Sequence, residues 1–269
     1  MTTLAETISD SVVITRRNLI KVKRVPDLIV FATLSPIMFV VMFRYVFGGA
    51  IGGLPPGVSY AEFLLPGIFA QTVVFGSTTT GASIAEDLQK GLIDRFRSLP
   101  MSRSAVLVGR TVADSGLNVI SIAVMAVTGL VVGWRINSSL GEALAGFLVL
   151  LVFAYAISWL MAVVGLLVRT PEVVNNASFI VIFPLTFIAN TFVPLETFPP
   201  ALRVFAEWNP VSTVTLASRE LFGNVPPGTP VPDAWSLQNP VLYTLIWTAL
   251  ILAVFVPLSV RLYQRTATR

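Results

Sequence analysis

Long uncharged runs alternate with short charged segments along this 269-residue chain. Crossing about 30 Å of hydrocarbon takes roughly 20 helical residues. Six stretches reach that length: residues 28–47, 63–84, 115–134, 143–168, 173–195 and 240–260. None alternates like a barrel strand, and each is too long to be one. The pattern therefore predicts an all-α membrane protein with six transmembrane helices. Arg44 is the one charge inside the first stretch, and Pro36 and Pro184 are expected to kink the helices that contain them.

The segments between the spans carry patterns of their own. Over residues 1–27, Leu4, Ala5, Ile8, Val12, Leu19 and Val22 share one arc of about 100° on a helical projection, with Glu6, Asp10, Arg17, Lys21 and Arg24 roughly opposite. This fits an amphipathic interfacial helix on the cytoplasmic leaflet, its basic end near acidic headgroups. A solvated helix packed on another subunit is the other reading; Pro26, turning the chain straight into the first span, favours the leaflet. The apolar run that follows is long enough to span, so this N-terminus is not read as a signal peptide. The chain thus divides into residues 1–27 and a single six-span domain, residues 28–269.

Two loops stand out. After the second span, Leu88, Leu92, Phe96 and Leu99 recur at helical spacing up to Pro100, with Asp94, Arg95 and Arg97 among the charges beside the stripe. Such a helix wants cover from the protein's own helix ends, from lipid or from a partner. The loop over residues 196–239 is rich in proline but apolar at Leu202, Val204, Phe205, Leu216 and Leu221. It reads as short helices that dip into the outer leaflet or cap that side.

Composition narrows the function. Hydrophobic residues make up 55% of the chain and charged residues 12%, about half the share of a soluble domain. A soluble enzyme, a disordered chain and a nucleic-acid binder are excluded on that ground. With no Cys and no His, thiol chemistry, Cys-ligated metals and a Ser–His–Asp triad are excluded too. None of Lys21, Lys23 and Lys90 lies in a G-x-x-x-x-G-K-[ST] frame, so the chain has no P-loop. The net charge is +4, and fourteen of the 18 Lys and Arg fall before the first span, after the sixth, or in the loops after the second and fourth. By the positive-inside rule both termini are cytoplasmic.

Ionisable groups within spans are functional candidates by default. Asp114 is the only carboxylate near membrane depth, and Arg110, four residues earlier, is placed to pair with it. Asn118 extends the same stripe. The second span carries Gln71, Thr72, Ser77, Thr78, Thr79, Thr80 and Ser83, and the fifth carries Asn175, Asn176 and Asn190. These side chains either line a polar route or bind helices together.

The cytoplasmic segment Gly91-Leu-Ile-Asp-Arg-Phe-Arg-Ser-Leu-Pro-Met-Ser-Arg103, followed by Gly109-Arg110 and Ala113-Asp114, resembles the daunorubicin-resistance type of bacterial ABC export permease. Phe192-Val-Pro-Leu-Glu-Thr-Phe-Pro199, Trp208-Asn-Pro-Val211 and Arg219 match that family between its fifth and sixth spans, and the resemblance covers nearly the whole chain. It implies one half of a type-two ABC exporter in the bacterial inner membrane. The half pairs with an identical or sister permease above two copies of a separate ABC ATP-binding subunit, which holds the ATP and Mg. The helix from Glu86 to Pro100 is then the coupling helix, with Leu88, Leu92, Asp94, Arg95, Phe96, Arg97, Leu99 and Pro100 facing the ATPase.

The same resemblance implies a hydrophobic or amphiphilic cargo, such as a drug, natural product, lipid or glycan, moved between paired permeases. Phe39, Phe43, Gln71, Phe75, Phe187 and Asn190 are the candidate path residues. A proton-coupled antiporter using Asp114 is the alternative; the absence of other intramembrane carboxylates and of an inverted repeat weighs against it. An intramembrane hydrolase finds no catalytic constellation here.

Overall fold

Serine, threonine and asparagine open many of the helices in the computed structural model, which describes residues 4–24, 27–48, 57–92, 104–168, 170–226, 228–229 and 233–265. Ser59 and Ser139 each close a capping box with the glutamate three residues on, Glu62 and Glu142. Thr170 and Asn209 cap helices whose first residue is proline. The helices are α1 (Leu4–Arg24), α2 (Asp27–Val41), α3 (Tyr60–Gly76), α4 (Thr78–Gln89), α5 (Ala105–Val131), α6 (Leu140–Leu167), α7 (Pro171–Phe187), α8 (Pro200–Glu207), α9 (Pro210–Leu221), α10 (Trp235–Gln238) and α11 (Pro240–Arg265). A π-helical turn, Met42–Phe47, continues α2, and a 3-10 turn, Leu195–Thr197, precedes α8. No strand occurs among the described residues.

Helices α5, α6 and α11 are each long and apolar enough to cross a membrane, while Thr33–Phe47 and α7 are shorter apolar helices. Helix α3 runs through the middle of the bundle, buried on nearly every side from Tyr60 to Val74. Helices α2, α5, α6 and α9 pack around it. A second apolar cluster joins Ile84, Val106, Leu107, Trp159, Ala162, Leu166 and Tyr263, where α4, α5, α6 and α11 meet.

Several expectations change. The second hydrophobic stretch is two helices joined at Ser77. Ser77 Oγ donates back to Val73 O (2.7 Å) and across to Ala154 O (3.0 Å), while the Thr78 and Thr79 hydroxyls donate to Phe75 O and Gly76 O. Such back-bonding bends helices. The helix carrying the third stretch begins at Ala105, so Arg110 and Asp114 lie well inside it. The fifth stretch stops being helical after Phe187, three residues past Pro184.

The helix expected from Glu86 to Pro100 is not continuous. It ends at Gln89, and Gly91 turns the chain at φ +65°, a left-handed value that favours glycine. Leu88 therefore stands on α4, before the turn that cuts its stripe, and packs inward on the second cluster. Asp94, Arg95, Phe96, Arg97, Leu99 and Pro100 lie outside the described residues. Helix α1 packs on α5 of its own chain, through buried Ser11 and Ile14 and a hydrogen bond from Thr15 Oγ1 to Gly109 O (3.2 Å).

Candidate functional site

The expected path residues fall on α2 with its π-turn, on α3, and on α7 with the turn that follows it, which the bundle brings side by side. Phe39 and Phe43 are one turn apart at the end of α2, and their rings stack 6.0 Å apart. Phe187 closes α7, where Phe179, Phe183 and Phe187 recur every four residues; successive centroids are 4.9 and 4.1 Å apart. Phe75 on α3 meets the far end of this row at Phe179, 6.3 Å away. Four of the six expected residues thus belong to one connected row of phenyl rings. Gln71 is buried on α3, one turn from Phe75.

The row closes through a residue not expected as part of it. Phe192 stands 4.3 Å from Phe43, 4.9 Å from Phe187 and 6.5 Å from Phe39, ring to ring. Helical spacing gave no reason to group them, because Phe192 sits in the turn after α7. Phe179 and Phe183 keep 54% and 37% of their surface exposed while Phe192 keeps 5%. The row is open along α7 and shut at the turn.

That turn is held by buried polar groups. Tyr60 donates its hydroxyl to Phe192 O at 3.2 Å. Arg219, from α9, is 3% exposed. Its Nε donates to Phe63 O (2.8 Å), its Nη2 donates to Asn190 O and to Thr191 O (3.3 Å), and its guanidinium carbon lies 3.8 Å over the Phe63 ring. Asn190 N in turn donates to the Ser212 hydroxyl oxygen, 3.3 Å away. Asn209 Nδ2 ties Leu185 O and Ile188 O, the carbonyls that the end of α7 leaves free. Asn190 Oδ1 and the hydroxyls of Thr191 and Thr215 are buried here without a partner among the described residues. Asn190 is thus joined to its surroundings chiefly through its backbone.

At the other end of α3 and α4 the expected ion pair forms. Arg110 Nε is 3.3 Å from Asp114 Oδ2, which also accepts the Thr80 hydroxyl at 2.7 Å. Asp114 is 3% exposed. The pair ties α5 to α4, one turn beyond the Ser77 joint. Just past Thr80, α4 crosses α6 with backbone nearly on backbone: a Cβ on Gly165 would lie 2.3 Å from Gly81 O, which leaves no room for one. Asn118 Nδ2, one turn along α5, is buried and unpartnered among the described residues. Among the described residues no cluster of acidic side chains has the makings of a metal site.

Charge outside the spans is handled locally. Burial of Glu62 opposes its ionisation, but hydrogen bonds from the Ser59 amide, the Asn137 amide and the Ser59 hydroxyl outweigh that and hold the carboxyl below its usual range. The Ser59–Glu62 box thereby reaches across to the start of α6.

Residues 11–222 match the family model described as ABC-2 type transporter. The chain is 36% identical over 248 residues to the daunorubicin resistance ABC transporter permease protein DrrB1 of Streptomyces coeruleorubidus, covering 92% of this chain and 83% of that one. It is 27% identical over 241 residues to the probable doxorubicin resistance ABC transporter permease protein DrrC of Mycobacterium tuberculosis, covering 89% and 83%. Over 223 residues it is 23% identical to the putative transport permease ycf38 of Porphyra purpurea, covering 81% and 76%.

Proposed function

The chain belongs to the ABC-2 type transporter family, and on that premise we propose that it is the permease half of an ATP-driven exporter of hydrophobic or amphiphilic compounds. Membership makes it a multi-pass membrane subunit of an ABC transporter, whose ATP is hydrolysed by a partner. The finer reading is ours. Six spans cross the bacterial inner membrane: α2 with its π-turn, α3 from Phe63 onward with α4, α5, α6, α7 and α11. Both termini are cytoplasmic. Two permease chains, identical or sister, stand above two ATP-binding subunits that hold the ATP and Mg.

One observation carries the cargo reading: the row of rings from Phe75 through Phe179, Phe183 and Phe187 to Phe192, Phe43 and Phe39, open along α7. A flat apolar compound finds ring faces along its whole length there and buried hydroxyls and amides at the closed end. Asp114 does not suit the alternative proton site, because Arg110 and Thr80 already engage it. The coupling surface begins beyond Gly91 and has Phe96 as its anchor; Leu88 belongs to the permease's own packing.

The test is energised efflux. Vesicles carrying this chain with its cognate ATP-binding subunit should expel daunorubicin when ATP is supplied, and keep doing so after a proton uncoupler is added. The permease purified alone should bind no ATP, since it lacks a P-loop. Efflux that collapses with the proton gradient while ATP is maintained would hand the function to an antiporter.

A further inference from the structure

The helix that carries Phe39 and Phe43 changes its bonding between them. Up to Val41 the backbone is α-helical; over Met42–Phe47 it widens to π bonding, i to i+5, which fits a surplus residue into the turn. Such turns are rare and gather at functional sites. This one bears the ring that helps shut the row. Phe43 lies 5.1 Å from Phe47 on its own turn and 4.3 Å from Phe192, stacked on the latter with the planes 24° apart.

The turn is held in this form from several sides. Arg44 Nε donates to Val132 O at the end of α5, 3.4 Å away. Gly48 closes the turn, and a Cβ there would run into Arg44 O. The same Cβ would stand 3.3 Å from Tyr60 Cδ1, and Tyr60 is the residue whose hydroxyl holds Phe192 O. One tyrosine thus touches the end of the turn and grips the partner of its ring. The remaining face is open, with Tyr45 and Val46 67% and 68% exposed.

A surplus residue can be given up without breaking the helix. In the α register the carbonyl of residue 44 would bond the amide of residue 48, an arrangement that side chains tolerate. The helix past the turn would then rotate by one residue, about 100°, against the part before it. Phe39 precedes the turn and stays. Phe47 goes the whole way, and Phe43, inside the turn, goes part of it. With side chains about 5 Å from the helix axis, half that rotation carries a ring about 4 Å. That matches the spacing of Phe43 from Phe192, so the pair comes apart.

We propose that the π-turn is a register switch and that Phe43 on Phe192 is the gate it works, shut in the π register and open in the α register. Arg44 and Gly48 are the positioning residues that hold it shut. The gate rests on the path read in the proposed function; the switch rests on the turn alone.

Replacing Phe43 by p-azidophenylalanine keeps a ring in place and makes it report its neighbours. Irradiated in the full chain in phospholipid nanodiscs, it should crosslink to the peptide that carries Phe192. Gly48→Ala, for which the π register has no room, should lower that yield several-fold. Arg44→Gln should lower it part of the way, and carries the test if Gly48→Ala does not assemble. Deletion of Tyr45 removes the surplus residue without turning either flank, and should leave the yield unchanged. A yield that neither substitution lowers would overturn the switch. Function is read separately, in the efflux assay of the proposed function with the cognate ATP-binding subunit. The Tyr45 deletion, fixed in one register, should hydrolyse ATP and expel nothing; efflux at the unmodified rate would overturn the gate. Absence of ATP-driven efflux from the unmodified transporter would overturn the path on which the gate rests, whatever the crosslinks report of the register.

Discussion

At the α4–α5 end, Arg110 leaves water with a carboxylate four residues away on its own helix and a threonine hydroxyl on the same oxygen. At the α3–α9 end, Arg219 leaves water more completely, and it is met by three backbone carbonyls and the face of a phenyl ring. Those carbonyls belong to residues 28, 29 and 156 positions away in the chain. The first arrangement is a pair, and a pair can be deleted together with modest loss. The second is a keystone: no second substitution removes a backbone carbonyl. One arginine tunes a contact between two helices, and the other decides whether three segments meet at all.

The comparison breaks most readily at Arg219. Arg219→Met should cost about 3 kcal/mol or more, since it removes the one buried donor that three carbonyls share. Thermal unfolding in detergent measures it; a loss no larger than that of Asp114→Asn would end the distinction. Asp114→Asn comes next, with a loss of about 2 kcal/mol, because Arg110 keeps some access to solvent. Arg110→Met combined with Asp114→Leu should recover most of it, and the double-mutant cycle reports the coupling directly. If the double variant is as unstable as the sum of the singles, the pair is no pair.

Gly165→Ala sharpens the same contrast from the side. Its Cβ meets the Gly81 backbone, so α4 must move off α6. About 1–2 kcal/mol of stability should go, and in the exporter proposed above ATP hydrolysis should separate from efflux. Unchanged coupling would show that the crossing is packing alone. The smallest effect belongs to Glu62. Its carboxyl titrates below its unfolded value, so its contribution is full above that value and is lost as pH falls through the folded one. Between about pH 5 and about pH 3 the melting temperature of Glu62→Gln should fall less than that of the unmodified protein.

What the sequence made legible was local. Arg110 and Asp114 were four apart on one helix, and the structure pairs them. Phe39, Phe43, Phe75 and Phe187 were picked out on apolar helices and share one row of rings. What stayed hidden was distant or non-periodic: a carbonyl at residue 63 leaves no mark near residue 219, and Phe192 sits in a turn where helical spacing has no meaning. The break at Gly91 was visible, since glycine after a lysine is a common helix stop, yet a regular leucine stripe ran across it. For α1 the sequence favoured the leaflet, and the structure lays it against α5 of its own chain; an apolar arc says that something covers it, not what.

The crossing of Gly81 over Gly165 has a mechanical meaning. Helix α4 is a short stiff rod packed against α5, α6 and α7, and near its beginning, at Gly81, backbone meets backbone, which makes that tightest crossing its fulcrum. At 1.5 Å per residue, the arm from Gly81 to Gln89 is about 12 Å and the arm back to Ser77 about 6 Å. Pushed at Gln89, such a rod delivers to Ser77 a displacement about half as large and opposite in direction. The joint at Ser77 lies two residues from Phe75, whose ring faces Phe179 on α7. A coarse stroke beneath the bundle would thus arrive among the phenyl rings as a small, reversed turn of one of them.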